Sequence, residues 1–252
     1  MFYTNAIVRI PAATCGNGLT TAKLGAPDPQ LTREQFDRYV HILSALGLTV
    51  TVLSAQPNFP DGHFVEDTAV VMPELAIITH PGAQSREGEV ATIEPVLARY
   101  RRIERIQHGR MDGGDVLMVD KRLFVGISSR TNATGVQEFK AIVEPFGYQV
   151  HAIEVDDGLH LKSVVNYVGK NTLLLDAGSS GHPAFASFDH IIVSKQEEYA
   201  GNTLWINDTL ITPEGYPATL RQLQQLGLAI IETPTSELKK MDGGLTCLSL
   251  RF

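Results

Sequence analysis

Apolar residues recur along this chain in two rhythms, one of helical period and one of strand period, and the alternation returns five times. Residues 32–47 carry the clearest helical stretch. Phe36, Tyr39, Val40 and Leu43 fall on one face, Thr32 and Gln35 have capping-box spacing, and Gly47 can end the helix. The strand LTVTVLSA follows. A second helix is expected from near Ser85, with Val90, Ile93, Leu97 and Tyr100 on one face. A third runs from about Asn132 to Phe146 through Phe139, Ile142 and Val143, ahead of the strand YQVHAIEV. A weaker fourth lies around PAFASFD before HIIVS. The fifth starts at Pro217, a favoured first helical position, carries Leu220 and Leu223, and stops at Gly227 before LAIIET.

Between the helices lie strand pairs that echo one another: FVEDTAVVM, GDVLMVDKRLFVG, SVVNYVGKNTLLLDA, TLWINDTLITP and LTCLSL. Five helices flanked by strands point to five-fold internal repetition, and repeats of this length imply a radial or stacked architecture. A plain doubly wound sheet is the alternative. Hairpins such as LMVDKRLFVG, with a charged turn, favour the closed radial form, because parallel crossovers alone need no hairpins.

The chain has 252 residues, 43% hydrophobic and 19% charged, which is ordinary globular composition and enough to bury a large core. We expect one catalytic domain spanning 1–252. A net charge of −7 argues against a nucleic-acid partner and suits cationic small substrates through steering. No apolar run approaches membrane-spanning length, and the opening MFYTNAIVRIP, with Thr4, Asn5 and Arg9, is unlike a signal peptide. The two cysteines, Cys15 and Cys247, fall far short of a disulfide framework, so free thiols and a cytoplasmic location are expected. Zinc-type and phosphate-loop signatures are absent.

Several residues look chemical, and each also has a plainer reading. MDGG occurs twice, at Met111 and at Met241, with Cys247 after the second copy alone. The motif can be a tight turn, since Asp-Gly and Gly-Gly favour positive φ, and Cys247 can be a small buried residue. In FVED, strand alternation sends Glu66 and Asp67 to opposite faces, so that one carboxylate points inward, where it is costly if unpaired. His160, in GLHLKS, can be a packed histidine or a proton shuttle. Taken together, a cysteine that works as thiolate, a histidine, and inward acids Asp67 and Asp112 describe a negative cavity. Such a cavity disfavours a thiolate unless the substrate brings positive charge, and a planar guanidinium matches carboxylates bidentately.

Through PDGHFVEDTAVV, PGAQSREGEV, MDGGDVLMV, GISSRTNATG, GLHLKS, NDTLITPEGYP and MDGGLTCLS, the chain resembles the dimethylarginine dimethylaminohydrolase family, among the guanidine-modifying enzymes. The resemblance covers essentially the whole chain. It implies the pentein fold, a five-bladed α/β propeller with pseudo-five-fold repeats around a central active-site channel. It implies hydrolysis of Nω-methylated arginine to citrulline and a methylamine through a covalent thiouronium, with selectivity over arginine itself. Cys247 would be the nucleophile and His160 the general acid/base. Asp67 and Asp112 would hold the guanidinium, with Glu66 supporting them. Asp61 would contact the α-amine, Arg86 and Arg130 would grip the α-carboxylate, and Leu19 would belong to a covering loop. No cofactor or metal is implied, although a soft metal could inhibit by bridging Cys247 and His160. The partner would be a small molecule, with neither membrane nor nucleic acid, and a homodimer is possible. Arginine deiminases resemble the chain too, but they pair their histidine with an aspartate two residues on, where this chain has Lys162, and they are longer. Related alternatives are hydrolysis of arginine or citrulline, amidino transfer, and a non-catalytic binding protein.

Overall fold

A computed structural model of the protein describes residues 2–156 and 159–252. Gly158 of the GLHLKS stretch therefore lies outside the described residues. In the first unit, β1 (Asn5–Arg9) leads through α1 (Pro29–Ala45) to β2 (Thr49–Leu53), which lies parallel to it. The second holds β3 (Ala69–Val71), β4 (Leu75–Ile78), α2 (Val90–Leu97) and β5 (Arg102–Arg105). The third holds β6 (Val116–Val119), β7 (Arg122–Ile127), α3 (Ala133–Val143) and β8 (Gln149–Glu154). The short α4 (Leu161–Val164) enters the fourth, made of β9 (Val165–Tyr167), β10 (Thr172–Leu175) and β11 (Asp189–Ile192). The fifth contains β12 (Leu204–Ile206), β13 (Thr209–Pro213), α5 (Pro217–Gln224) and β14 (Ala229–Thr233). After α6 (Ser236–Lys239), β15 (Leu250–Arg251) pairs antiparallel with β1, matching Ala6 to Arg251 and Ile7 to Leu250.

Among the described residues the result is five three-stranded sheets of one plan, each an antiparallel pair plus a parallel third strand. The last strand of the chain completes the first sheet, and this closes the five-bladed α/β propeller. Hairpin turns carry the residues that tolerate left-handed backbone: Asn207 and Asp208 join β12 to β13 at φ 47° and 63°, and Lys170 and Asn171 join β9 to β10 at φ 49° and 54°. The middle strands β4 and β10 are buried along their whole length. Apolar clusters fill the space between sheets and outer helices, for example Ile78 with Ile93 and Leu97, and Leu123 with Phe139 and Val143. Among the described residues no helix is long and apolar enough to cross a membrane.

Four expectations change in detail. The α1 helix starts earlier, at Pro29, because Asp28 caps it by accepting from the Gln30 and Leu31 N–H groups. Thr32 and Gln35 are instead buried inside it, Gln35 donating to Ser236 Oγ at 2.8 Å. The stretch from Ser85 begins as a 3-10 turn, Gln84–Glu89, before α2. The fourth crossover has no α-helix at PAFASFD, only the 3-10 turn Pro183–Phe185, which still seats Phe185 fully in the core. Finally, Glu66 and Asp67 lie in a 3-10 turn, Val65–Thr68, and not in a strand.

Candidate active site

The segments that lead into the first strand of each blade all gather at one end of the ring. Asp67 precedes β3, Asp112 precedes β6, His160 and Lys162 precede β9, Asn202 precedes β12 and Cys247 precedes β15. Repetition of one backbone plan thus delivers one set of side chains per blade to a common place. The turn bearing Asp67 touches both the turn that follows Asp112 and the turn bearing Cys247 there.

His160 occupies the N-cap position of α4, its N–H donating to Ser163 Oγ at 3.3 Å. Its Nε2 lies 2.9 Å from Asp112 Oδ2 and 3.8 Å from Asp67 Oδ1. Burial alone would lower the histidine, but the charge of Asp67, the Asp112 hydrogen bond and the charge of Asp115 outweigh it and raise it to about 9. Asp67 moves the other way: burial opposes its charge, yet His160, Arg86 and the Gly114 N–H at 3.0 Å hold it below the usual carboxylate range. The other Asp112 oxygen accepts from the Gly82 N–H at 2.8 Å.

Cys247 sits in the 3-10 turn Thr246–Leu248 rather than on a strand, its N–H donating to the Gly244 carbonyl at 3.2 Å. With His160, Glu66, Tyr199 and Asn202 it lines a cavity of about 80 Å³. Burial, then the charges of Glu66 and Asp67, push its thiol up to about 12. Before a cation arrives this is a thiol beside an imidazolium.

The expected pairs are unequal. Glu66 and Asp67 diverge as expected, but both are buried. Glu66 turns away from Asp67 to receive Lys162 Nζ at 2.7 Å and Arg251 Nη2 at 2.8 Å on one oxygen, leaving Oε2 without a hydrogen-bond partner among the described residues. Glu66 and Lys162 also line a second cavity, of about 140 Å³, so their ion pair forms a wall between the two. The guanidinium of Arg86 is committed inside the protein, to Asp67 Oδ2 at 2.5 Å, to Glu89 and to the Phe64 carbonyl. Arg130 is the open member: its Nη1 is buried without a hydrogen bond among the described residues, 3.8 Å from Asp112 Oδ2. Asp61 accepts the Leu19 N–H at 3.1 and 3.2 Å, which places the Leu19 loop directly over it.

Sequence reasoning missed the supports. Asp115 accepts from the Leu161 N–H at 2.8 Å, Thr131 Oγ1 at 2.6 Å and Ser128 Oγ at 2.7 Å, and so anchors the start of α4 beside His160. Asn202 braces the cysteine turn, accepting from the Thr246 N–H and donating to Thr246 Oγ1 and the Lys162 carbonyl. Asp115 was readable as the last acid of MDGGD; nothing local marks Asn202. One ligand atom each of Asp67, Asp112 and His160 falls within 4.8 Å of the others, a spacing that could hold a metal ion. The Arg86 and His160 partners already compensate these carboxylates, and the same acceptor geometry fits the N–H edges of an organic cation.

The family model for N,N dimethylarginine dimethylhydrolase, eukaryotic, matches residues 27–182. Over 99% of its length the chain is 38% identical to the whole of the N(G),N(G)-dimethylarginine dimethylaminohydrolase of Pseudomonas aeruginosa. Over 98% of its length it is 35% identical to the enzyme of the same name from Streptomyces coelicolor, covering 96% of that protein. Among solved structures, DDAH from Pseudomonas aeruginosa, as a cysteine-to-serine mutant complexed with citrulline, superposes over 100% of both chains with a TM-score of 0.98 at 38% identity.

Proposed function

The chain belongs to the dimethylarginine dimethylaminohydrolase family, and on that premise we propose that it hydrolyses Nω-methylated arginine to citrulline and a methylamine. The observation that carries this is that Cys247 and His160 line one cavity, with the carboxylates of Asp67 and Asp112 set against the His160 ring. The citrulline seen in the Pseudomonas aeruginosa structure is the product such a site would release.

The guanidinium enters as a cation between Asp67 and Asp112, the only charge type that relieves the negative field on Cys247. Its arrival lowers the thiol, whose proton passes to solvent water as the sulfur approaches carbon, because His160 already carries its own. The thiolate pair forms an S–C bond to the guanidinium carbon, and the C=N π pair moves to nitrogen. Collapse of this tetrahedral adduct breaks the C–N bond to dimethylamine, and the departing nitrogen takes the proton of the His160 imidazolium. Neutral His160 then removes a proton from water as its oxygen adds to the thiouronium carbon. The C–S bond breaks, the thiolate returns, and the ureido group of citrulline remains. Arg130 meets the α-carboxylate and Asp61 the α-amine under the Leu19 loop. Arg86 acts through Asp67. The whole chain serves as one catalytic domain. The two free cysteines fit a cytoplasmic location, and a homodimer is compatible with the same chemistry.

Citrulline release from a panel of asymmetric dimethylarginine, monomethylarginine, arginine and agmatine tests the reading. Methylated arginines should give the highest kcat/KM and agmatine, lacking the carboxylate, little product. Cys247→Ser should fold but lose at least about 10³-fold in kcat. Arginine as the best substrate, or a fully active Cys247→Ser, would overturn the assignment.

A further inference from the structure

The two MDGG stretches differ in where the aspartate goes, and the second aspartate has no role in the chemistry above. Asp242 takes φ 54°, a left-handed conformation that strains a non-glycine residue, although glycines follow it. Its carboxylate does not face Asp67 or His160. It reaches outward to the loop that follows Cys15, where its Oδ2 accepts from the Thr21 N–H, from Thr21 Oγ1 at 3.0 Å and from Thr20 Oγ1 at 3.3 Å. Thr20 Oγ1 also donates to the Lys240 carbonyl at 3.0 Å. One residue earlier the same loop gives the Leu19 N–H to Asp61. The loop around these contacts is exposed, with Leu19 at 43% and Leu24 at 52% of full exposure, so packing does little to hold its tip.

Asp242 also stands where two spaces meet. It lines the cavity of about 80 Å³ with Cys247, and it lines an outer cleft of about 710 Å³ together with Thr21, Ala22 and Leu24. Gly243 beside it is clamped: the ring of Phe64 would lie 2.3 Å from a Cβ there, and its carbonyl accepts Tyr199 Oη at 2.9 Å. The turn that leads to Cys247 is therefore tightly held, and Asp242 is the point at which the exposed loop is fastened to it.

We propose that Asp242 is a positioning residue that latches the Leu19 loop to the cysteine turn, so that the cover over the site and the nucleophile move as one body. The strained backbone is what aims the carboxylate outward. With the latch closed, Leu19 stays over Asp61. Substrate capture depends on the latch, while the chemical step, carried by Cys247 and His160, depends on it little. The proposal rests on the reading of Leu19 and Cys247 given above.

The test uses the full-length protein with Asp242→Gly, which suits the left-handed backbone and removes the carboxylate, and Asp242→Asn, which keeps an acceptor oxygen and tolerates the same φ. Amide hydrogen exchange is measured without substrate over residues 16–26, and kcat and KM with dimethylarginine. Asp242→Gly should speed exchange in the loop and raise KM by about tenfold or more, with kcat within about threefold. Asp242→Asn should restore most of both. A Thr20→Val, Thr21→Val double variant carries the change on the loop side and should move the same readouts part of the way, which keeps the test open if Asp242→Gly fails to fold. Unchanged exchange in Asp242→Gly, or an Asn variant as impaired as the Gly variant, would overturn the latch. Faster loop exchange in a protein that ignores methylarginine would reject the substrate reading and leave the latch standing.

Discussion

MDGG is used in opposite senses at its two positions. At Met111 the backbone stays extended, with Asp112 at φ −106°, and the carboxylate is fully buried against His160 and the Gly82 N–H. At Met241 the backbone turns left-handed at Asp242, and the carboxylate is delivered to a surface loop. What the copies share is close approach, not dihedral freedom. None of the four glycines has positive φ, yet each would collide if given a side chain. A Cβ at Gly113 would lie 2.0 Å from the Glu66 carbonyl oxygen, and one at Gly244 would lie 2.4 Å from Asn202 Oδ1. The expectation that the motif supplies positive φ through glycine is thereby corrected: the glycines let neighbouring blades touch, and the aspartate sets the direction of the charge.

The largest effect that sharpens this contrast comes from neutralising the two aspartates separately. Asp112→Asn leaves the His160 imidazolium and Arg130 facing a neutral amide inside the protein. Breaking a buried charge pair in this way costs about 3–5 kcal/mol. At about 1.4 kcal/mol per decade, kcat/KM for dimethylarginine should fall by roughly two to four orders of magnitude. Asp242→Asn, on the half-exposed latch, should cost less than about threefold, in keeping with the small worth of exposed polar contacts. Equal losses in the two variants would mean that the motifs do not divide the work as the geometry implies.

A smaller effect follows from pH. His160 is held protonated to about 9, and kcat/KM, which reports the free enzyme, should decline as pH rises through that value and the acid for the leaving amine is lost. Because the folded value lies above the ordinary 6.5, the His160 contribution to stability is complete below pH 6.5 and is lost as pH rises through about 9. In Asp112→Asn the alkaline limb should move to lower pH, since one of the groups raising His160 has gone. In Asp242→Asn it should stay in place. A limb that shifts equally in both would count against assigning it to His160.

Much of the architecture is legible in the hydrophobic rhythm. Five returns of hairpin and crossover are visible because each blade buries its own strands and helix, and Phe139 or Leu223 keeps its period whatever the neighbouring blade does. The misplaced details have a common cause. The fourth crossover loses its helix because Phe185 alone needs to reach the core, and one 3-10 turn achieves that. The site is half legible. Asp67, Asp112, His160 and Cys247 stand out as acids, a histidine and a thiol in apolar surroundings, and the structure brings them together. Asn202, Arg251 and the outward Asp242 do not stand out, because each acquires its partner only when the ring closes: Arg251 meets Glu66 from the last strand of the chain. Arg86 shows the converse, a residue that looks like an open fork in sequence and is found saturated by Glu89 three residues along.

The smallest predicted difference separates the glycines themselves. At Gly113 the obstacle to a side chain is main chain, the Glu66 carbonyl at 2.0 Å, with the Ala69 carbonyl at 3.0 Å behind it. Main chain there cannot step aside without displacing the turn that carries Asp67. At Gly244 the obstacle is the Asn202 side chain, which can rotate, but only by giving up its bonds to Thr246 and Lys162. Gly113→Ala should therefore act mainly on stability. An overpacking cost of about 1–3 kcal/mol lowers Tm by roughly 2–4 °C per kcal/mol in a chain of this size. Gly244→Ala should lower Tm less but loosen the turn before Cys247, which would show as faster alkylation of Cys247 by a neutral reagent at unchanged pH. Thermal unfolding and alkylation rates of the two variants, measured side by side, decide the matter. If Gly244→Ala proves the less stable protein and leaves alkylation untouched, Asn202 is not the yielding brace of the cysteine turn, and the second motif is as tightly built into the fold as the first.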